Sequence, residues 1–419
     1  MTEHKIQKVV VVGAGPVGLL TALMLGQKGI SVDVLESLNE VNKSPRGLAY
    51  GAPAVKVLAR AGILEKTIER GFIPKDIAWR KPDGTMIVGF DRLETRIDGL
   101  PRSVILPVGS LSALLVEEAQ HYPSIKIYWG YRVSNVGQDS ESAWVESNSD
   151  DGLNSKKMMH ADFVVGCDGG ASVVRKTLQG GSFPGYTWPK TLVAVNAHMS
   201  FDKLGFSDVQ WIIHPENWFV IAKIDNKGLW RIVYGEAPGL STEEIRDRLP
   251  QRFRETLPGH PEPNEYQLET VTPYTVHQRC AEKMRVGRIL LAGDAAHLNN
   301  PMGGLGLTTG VCDVGSLIDC LYGIDTGETS IDILDRYDEM RRQIFSQITD
   351  ATSTANFHRV MADPETILEK DIFFQLLERA KTEPNVAAGL MKHEMSIGCD
   401  MTQYFANGAS ESSNNGVVL

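Results

Sequence analysis

The sequence has no CxxC pair, no basic cluster, no internal repeat and no apolar run approaching the ~20 residues that a membrane span requires. Its five cysteines, Cys167, Cys280, Cys312, Cys320 and Cys399, are odd in number, widely spaced and without a histidine at metal-ligand spacing. A disulfide framework and a zinc site are excluded on that pattern, no metal is expected, and the cysteines read as reduced thiols. The net charge of −10 argues against nucleic acid or an anionic membrane as partner. An apolar strand begins so close to Met1, and is cut so soon by Gly13, that a signal peptide does not fit. The expectation is a soluble cytoplasmic protein, and nothing in the sequence fixes its oligomeric state.

The chain has 419 residues, 42% hydrophobic and 22% charged, which suits a globular enzyme of two domains. Val9-Val10-Val11-Val12 reads as a buried parallel strand, and Leu19 to Leu25 as a helix. Between them lies Gly13-Ala14-Gly15-Pro16-Val17-Gly18. Gly13 permits a tight turn, Gly15 lets backbone N–H groups approach a pyrophosphate, and Gly18 lets helix and strand pack closely at the positive helix end. A second strand, Ser31 to Leu35, ends at Glu36, whose carboxylate can accept both ribose hydroxyls and repels a 2′-phosphate. This segment binds a dinucleotide but does not separate NAD from FAD.

Further along, Pro53 to Gly71, Leu111 to Ala119 and Val311 to Leu321 carry helical periodicity, and Ile331 to Ile348 predicts a strongly amphipathic helix. Ile125 to Val133, Ala143 to Ser147, Ala161 to Cys167 and Gly287 to Gly293 read as strands, with an exposed hairpin loop from Ser147 to Lys157. From Pro184 to Pro273 aromatic and polar residues alternate, the pattern of an antiparallel sheet with one covered face. The expected fold is α/β: a Rossmann-like dinucleotide-binding domain interleaved with an antiparallel β-sheet substrate domain, plus C-terminal helices. We assign 1–73, 103–182 and 274–355 to the first, 74–102 and 183–273 to the second, 356–409 to a helical segment and 410–419 to a disordered tail.

Gly293-Asp294-Ala295-Ala296-His297 follows the late strand, and the stretch from Pro301 to Gly310 brings Gly303, Gly304 and Gly306 before a helix. Asp294 can hold ribityl hydroxyls, and the free N–H groups near Gly304, Gly306 and Leu307 can face a flavin's pyrimidine edge, which becomes negative on reduction. Alone this is a strand-end turn with a glycine-rich loop; paired with the first motif it asks for FAD. His297 is read as structural rather than as a base.

With these motifs the chain resembles the class A, single-component FAD-dependent aromatic monooxygenases of the p-hydroxybenzoate hydroxylase type, especially their fungal secondary-metabolism branch. The resemblance runs from about Lys8 to Arg359. It rests on Gly13, Gly15, Gly18 and Glu36, on Asp168-Gly169 within Ala161 to Arg175, and on Gly293-Asp294 with Pro301 and the glycines that follow. It implies a cofactor site of Gly13, Gly15, Pro16, Val17, Gly18, Glu36, Arg46, Asp168, Asp294, Pro301, Gly304, Gly306 and Leu307. Asp168 would touch both FAD and a transient nicotinamide; read without the family, it is a strand-end turn with Arg175 as a solvated helix residue. Arg46, in Ser44-Pro45-Arg46-Gly47, would lie near the flavin.

The resemblance also implies that NADPH or NADH, bound transiently without a glycine fingerprint of its own, reduces the flavin. O2 then adds at C4a, and the hydroperoxide hydroxylates an aromatic small molecule, a secondary metabolite by the branch. His198, Arg231 and Tyr234 are the substrate-pocket candidates. A regular strand points Arg231 and Tyr234 to opposite faces; Tyr234 could hydrogen-bond a phenol, but core packing is its favoured role. Two positions depart from the family: Asn196-Ala197-His198 stands where relatives often have Asn-x-Arg, and Val108 where a glutamine usually contacts the ribityl chain. The same fold could instead epoxidise an indole or perform a Baeyer–Villiger insertion. Other classes are a flavin-binding protein without oxygenase activity and a plain NAD-dependent dehydrogenase.

Overall fold

A computed structural model describes residues 5–42, 47–91, 96, 98–149 and 155–405. Its nucleotide sheet has six strands in the order Arg285–Val286, Ile289–Leu291, Phe163–Gly166, Lys8–Val12, Ser31–Glu36 and Ile125–Trp129. All neighbours are parallel except the first pair. Val9, Val10 and Val11 are fully buried, as a β-branched run covered on both faces must be. The helix Pro16–Gln27 is buried almost throughout, between this sheet and the helices Val108–Ala119 and Leu305–Thr326. Such all-round burial fits its lack of a polar face.

A second sheet of eight strands runs in the order His297–Leu298, Gln267–Cys280, Gly185–His198, Leu229–Glu236, Phe219–Lys223, Val209–Ile212, Asp76–Arg80 and Met86–Asp91. It is antiparallel except where Val209–Ile212 meets Asp76–Arg80. The alternation read from the sequence places Val193, Val195, Ile232 and Tyr234 on one face, under the helix Thr242–Thr256. Leu192, Ala194, Trp211 and Val233 lie on the other, against Met302 and the C-terminal Phe357 and Phe374. The long strand Gln267–Cys280 continues through 273, so the division placed there falls inside one strand. Three further strands, Tyr131–Gln138, Ala143–Ser149 and Lys156–Ala161, form a small antiparallel sheet.

Several elements differ from expectation for identifiable reasons. Pro53 to Gly71 is two helices, Ala52–Arg60 and Leu64–Arg70, because Gly62 at φ +72° breaks the run. The helix Thr242–Thr256 lies within the stretch read as antiparallel sheet, although Ser241 and Glu244 form a reciprocal capping box and Ile245, Leu249 and Phe253 recur at helical spacing around Pro250. The amphipathic helix starts at Ile333 and continues beyond 348 through a π-helical turn, Phe345–Asp350, into Ala351–Val360. Leu305–Thr326 is long and apolar enough to cross a membrane, a feature the run-length reading did not register, yet it is mostly buried inside the protein. The tail assigned to 410–419 lies outside the described residues.

Candidate active site

Three sequence-distant motifs meet because three adjacent parallel strands end in register. Val12 pairs with Gly166, and Gly166 pairs with Leu291. In open α/β sheets a ligand binds beyond the carboxyl ends of the strands. A Cβ on Gly13 would lie 2.5 Å from the Cys167 carbonyl oxygen, and one on Gly18 would lie 2.0 Å from that of Gly13. Both glycines are therefore required by packing. A Cβ on Gly15 would meet nothing within 4 Å, so this glycine faces open space at the start of the helix Pro16–Gln27. Val17 packs inward instead, its side chain 2.9 Å from a Cβ built on Gly293 and 3.0 Å from one built on Gly310. The first motif thus seats directly on the third.

Two helix N-termini at this junction, those of Pro16–Gln27 and Leu305–Thr326, have no side-chain cap and no acidic residue in the first turn. Their first N–H groups are placed to receive an anionic ligand. Gly303 and Gly304, at φ +102° and +66°, bend the chain into the second of these helices, and the Gly304 N–H donates to the Pro301 carbonyl at 3.0 Å. Leu307, on its first turn, sits 3.2 Å from a Cβ built on Gly47. Gly306 borders Asn299. Glu36 ends the second strand and accepts from the Ala14 N–H at 2.7 Å, beside the first motif. Asp294 is exposed at the end of Ile289–Leu291. This arrangement fits FAD: open space at Gly15 for the pyrophosphate, carboxylates at Glu36 and Asp294 for the two sugar-like chains, and a positive helix end for the flavin ring.

The third helix at the junction differs. Asp168 accepts from the Ser172 hydroxyl at 2.5 Å and from the Val173 and Val174 N–H groups at 2.7 and 3.3 Å, so both of its oxygens cap the helix Val173–Gln179. Burial raises its pKa, more than these bonds lower it. Arg175 is not a solvated helix residue, as the family-free reading had it. It is 2% exposed, donates to the Ala295 and Gly170 carbonyls at 2.8 Å each, and lies over the Phe183 ring. It ties the Asp168 segment to the Gly293 segment.

A buried charge group underpins the same junction. The Asp313 carboxylate accepts from the Arg341 Nε at 2.7 Å and the Gly293 N–H at 2.9 Å, and contacts the His297 Nε2 at 2.7 Å. Burial alone would raise the Asp313 pKa; His297 and Arg341 overcome it and hold the carboxylate below its ordinary range. His297 also stacks on Phe345. Asp313 and Arg341 were not singled out from sequence, although an aspartate near the start of the apolar run Val311 to Leu321 was the available signal.

On the substrate sheet, Arg231 is 8% exposed and its Nε donates to the Asn196 Oδ1 at 3.0 Å. Burial pushes the guanidinium down to about 10, with Tyr274 partly offsetting this, so it stays charged at neutral pH. Its register partner Ala222 belongs to an apolar cluster with Leu48, Ala49, Phe72, Ile105 and Leu229. Leu48 and Ala49 follow Gly47, so the Arg231 face of the sheet adjoins the segment packed on Leu307. Tyr234 is on the opposite face, fully buried beneath Thr242–Thr256 against Phe253. His198 is at the strand end, 3.0 Å from Glu269 and partly exposed. The structure therefore does not bring Tyr234 or His198 to Arg231. Arg46 lies outside the described residues. Val108, where a ribityl contact is expected in relatives, starts its helix and donates its N–H to the Gly47 carbonyl at 3.0 Å.

The C-terminal helix Pro384–Met395 reaches this region through Glu394, which accepts from the Ala52 N–H at 3.3 Å at the start of the helix Ala52–Arg60. Burial raises the Glu394 pKa, more than this bond and Arg102 lower it. A carboxyl that is harder to ionise folded than unfolded adds stability below its ordinary pKa of 4.5, and that contribution is lost as pH rises through the higher folded value. Glu394→Gln should accordingly flatten the fall in stability with pH just above 4.5, measured by urea unfolding across that window. A fall as steep as that of the parent protein would show that Glu394 is not its source.

The family described as FAD binding domain matches residues 7–352. A para-nitrophenol 4-monooxygenase of Pseudomonas sp. strain WBC-3 is 40% identical over 369 residues, 88% of this chain and 91% of that protein. A 6-hydroxy-3-succinoylpyridine 3-monooxygenase of Pseudomonas putida is 35% identical over 356 residues, covering 84% and 89%. The crystal structure of a p-nitrophenol 4-monooxygenase from Pseudomonas putida DLL-E4 superposes with a TM-score of 0.87 at 38% identity, over 94% of this chain and 99% of that one.

Proposed function

Because the chain belongs to the FAD-binding-domain family of flavin-dependent monooxygenases, we propose that it consumes NAD(P)H and O2 to hydroxylate a compact aromatic ring bearing a hydroxyl group. The observation that carries the substrate reading is Arg231: a buried cation held by Asn196 and paired in register with Ala222, which belongs to the apolar cluster that includes Leu48 and Ala49. A buried guanidinium favours the phenolate over the phenol, and a phenolate ring is the more electron-rich target. The relatives at 40% and 35% identity are named for nitrophenol and a hydroxypyridine, each a single ring, which supports a small substrate. A secondary metabolite, as in the fungal branch that the motifs resemble, is the second reading of the same site.

In this proposal the first N–H groups of Pro16–Gln27 hold the pyrophosphate, Glu36 the ribose and Asp294 the ribityl chain. The start of Leu305–Thr326 faces the pyrimidine edge. Bound FAD, reduced by NAD(P)H, supplies the activated oxygen. The protein's own part is to orient the ring, stabilise its anion at Arg231 and exclude water with the apolar cluster around Leu48 and Phe72. Asp168 serves first as a helix cap, and a nicotinamide contact there would add to that role. The discontinuous cofactor unit and the substrate sheet divide the work, and a cytoplasmic location suits both the NAD(P)H supply and the five free cysteines.

The test is NADPH and NADH oxidation by the FAD-loaded protein with and without simple phenols. Phenol-stimulated oxidation with matching O2 uptake is expected, whereas oxidation indifferent to every phenol would contradict the reading. Arg231→Met should bind FAD normally and raise KM about 10–100-fold, the loss of one charge-assisted hydrogen bond. An unchanged KM would remove Arg231 from the substrate site.

A further inference from the structure

The flavin-facing loop is braced by a buried polar network that the mechanism above does not use. Gln278, on the strand Gln267–Cys280, is 2% exposed, and Asn300, just before the loop, is fully buried. The Gln278 Oε1 accepts from the Asn300 backbone N–H at 2.5 Å and from its side-chain amide at 3.1 Å. The Asn300 Oδ1 in turn accepts from the Met302 N–H at 2.9 Å, closing the turn that leads through Gly303 and Gly304 into Leu305–Thr326. On its other side the Gln278 amide donates to Asp350 at 2.5 Å, Ser353 at 3.1 Å and Thr354 at 3.2 Å. Asp350 closes the π-helical turn Phe345–Asp350, whose Thr349 hydroxyl meets that of Thr309 in the same flavin-side helix at 2.9 Å.

This one amide therefore joins three elements at the point where the chain enters the helix whose N-terminus faces the flavin. Two successive glycines at positive φ give the loop little stiffness of its own. The attraction of a helix end for negative charge falls off within a turn, so small displacements of that end matter. Oxidised flavin is neutral at its pyrimidine edge and reduced flavin is negative there, so a well-placed helix end favours the reduced form selectively.

Resting on the FAD reading above, we propose that Gln278 is a positioning residue that tunes the reduction of the bound flavin, acting through Asn300 on the Pro301–Gly304 turn. Gln278→Met retains length and apolar volume but removes every bond of the amide. It should bind oxidised FAD within a fewfold of the parent protein yet lose about tenfold of its preference for reduced over oxidised flavin. For a two-electron couple a tenfold change is a downward shift of about 30 mV in midpoint potential. A purely structural role would instead lower unfolding stability and leave the potential unchanged.

Potentials are read by dye-coupled reductive titration of the FAD-loaded proteins, with stability measured in parallel. If Gln278→Met does not fold, Asn300→Ser decides: its hydroxyl still reaches the Met302 N–H but loses the side-chain bond to Gln278. A drop in the same direction supports the proposal. A folded, FAD-loaded variant with an unshifted potential overturns it. A parent protein that takes up no FAD would instead defeat the cofactor reading, an outcome distinct from either.

Discussion

Asp313→Ala should destabilise the protein by about 3–5 kcal/mol, because it removes one member of a buried pair and strands the other. Arg341 and Asp313 are both fully buried, and with the carboxylate gone the guanidinium retains, among the described residues, the Ile397 and Thr309 carbonyls at 2.7 and 3.2 Å. The Gly293 N–H and His297 lose the same partner. Damage should therefore concentrate where the Gly293-Asp294 turn meets the cofactor site, and FAD should leak from the folded fraction. Asp313→Asn, which keeps an acceptor but loses the charge, should fall between parent and Asp313→Ala. Urea unfolding of all three checks this. A loss below about 1 kcal/mol for Asp313→Ala, the size of an exposed ion pair, would mean that the group does not anchor the junction.

Gly15→Val should do the opposite: preserve the fold and abolish the cofactor site. Its backbone, at φ −73° and ψ 176°, is in the extended region that valine favours, and its Cβ would touch no protein atom within 4 Å. The added side chain projects into the space where a pyrophosphate would approach the helix start. Blocking that approach removes charge-assisted hydrogen bonds worth about 1.5–3 kcal/mol each, so FAD affinity should fall by about 100-fold or more. Gly18→Val is the contrasting control, since its Cβ would lie 2.0 Å from the Gly13 carbonyl oxygen and should prevent folding. Fluorescence titration with FAD, alongside circular dichroism, separates the two. A Gly15→Val protein that stays fully yellow would place the pyrophosphate elsewhere.

The contrast between these two experiments marks what could be read in the sequence. Gly13, Gly15 and Gly18 were legible because a backbone demand, whether tight packing or open approach, leaves its trace in residue identity. The strand ends were legible because Val9 to Val12 are covered on both faces. The opposition of Arg231 and Tyr234 followed from strand periodicity, and the structure places Tyr234 beneath a helix inside the stretch that reads as sheet. Asp313 and Arg341 were not legible, because their partnership spans 28 positions and joins two helices. Gln278 was invisible for a related reason: a neutral amide in a strand has no pattern until Asn300 and Asp350 are brought to it. Arg175 was not legible either, because an arginine on a short helix looks solvated until Ala295 and Phe183 cover it.

The most direct test of the account is the fate of oxygen. The FAD-loaded protein, supplied with NADPH or NADH and labelled O2, should be offered single-ring phenols including p-nitrophenol, with the products examined by mass spectrometry. One labelled oxygen atom should appear in the ring product for each NAD(P)H oxidised. NAD(P)H oxidation that yields only hydrogen peroxide with every phenol, and no labelled product, would contradict it.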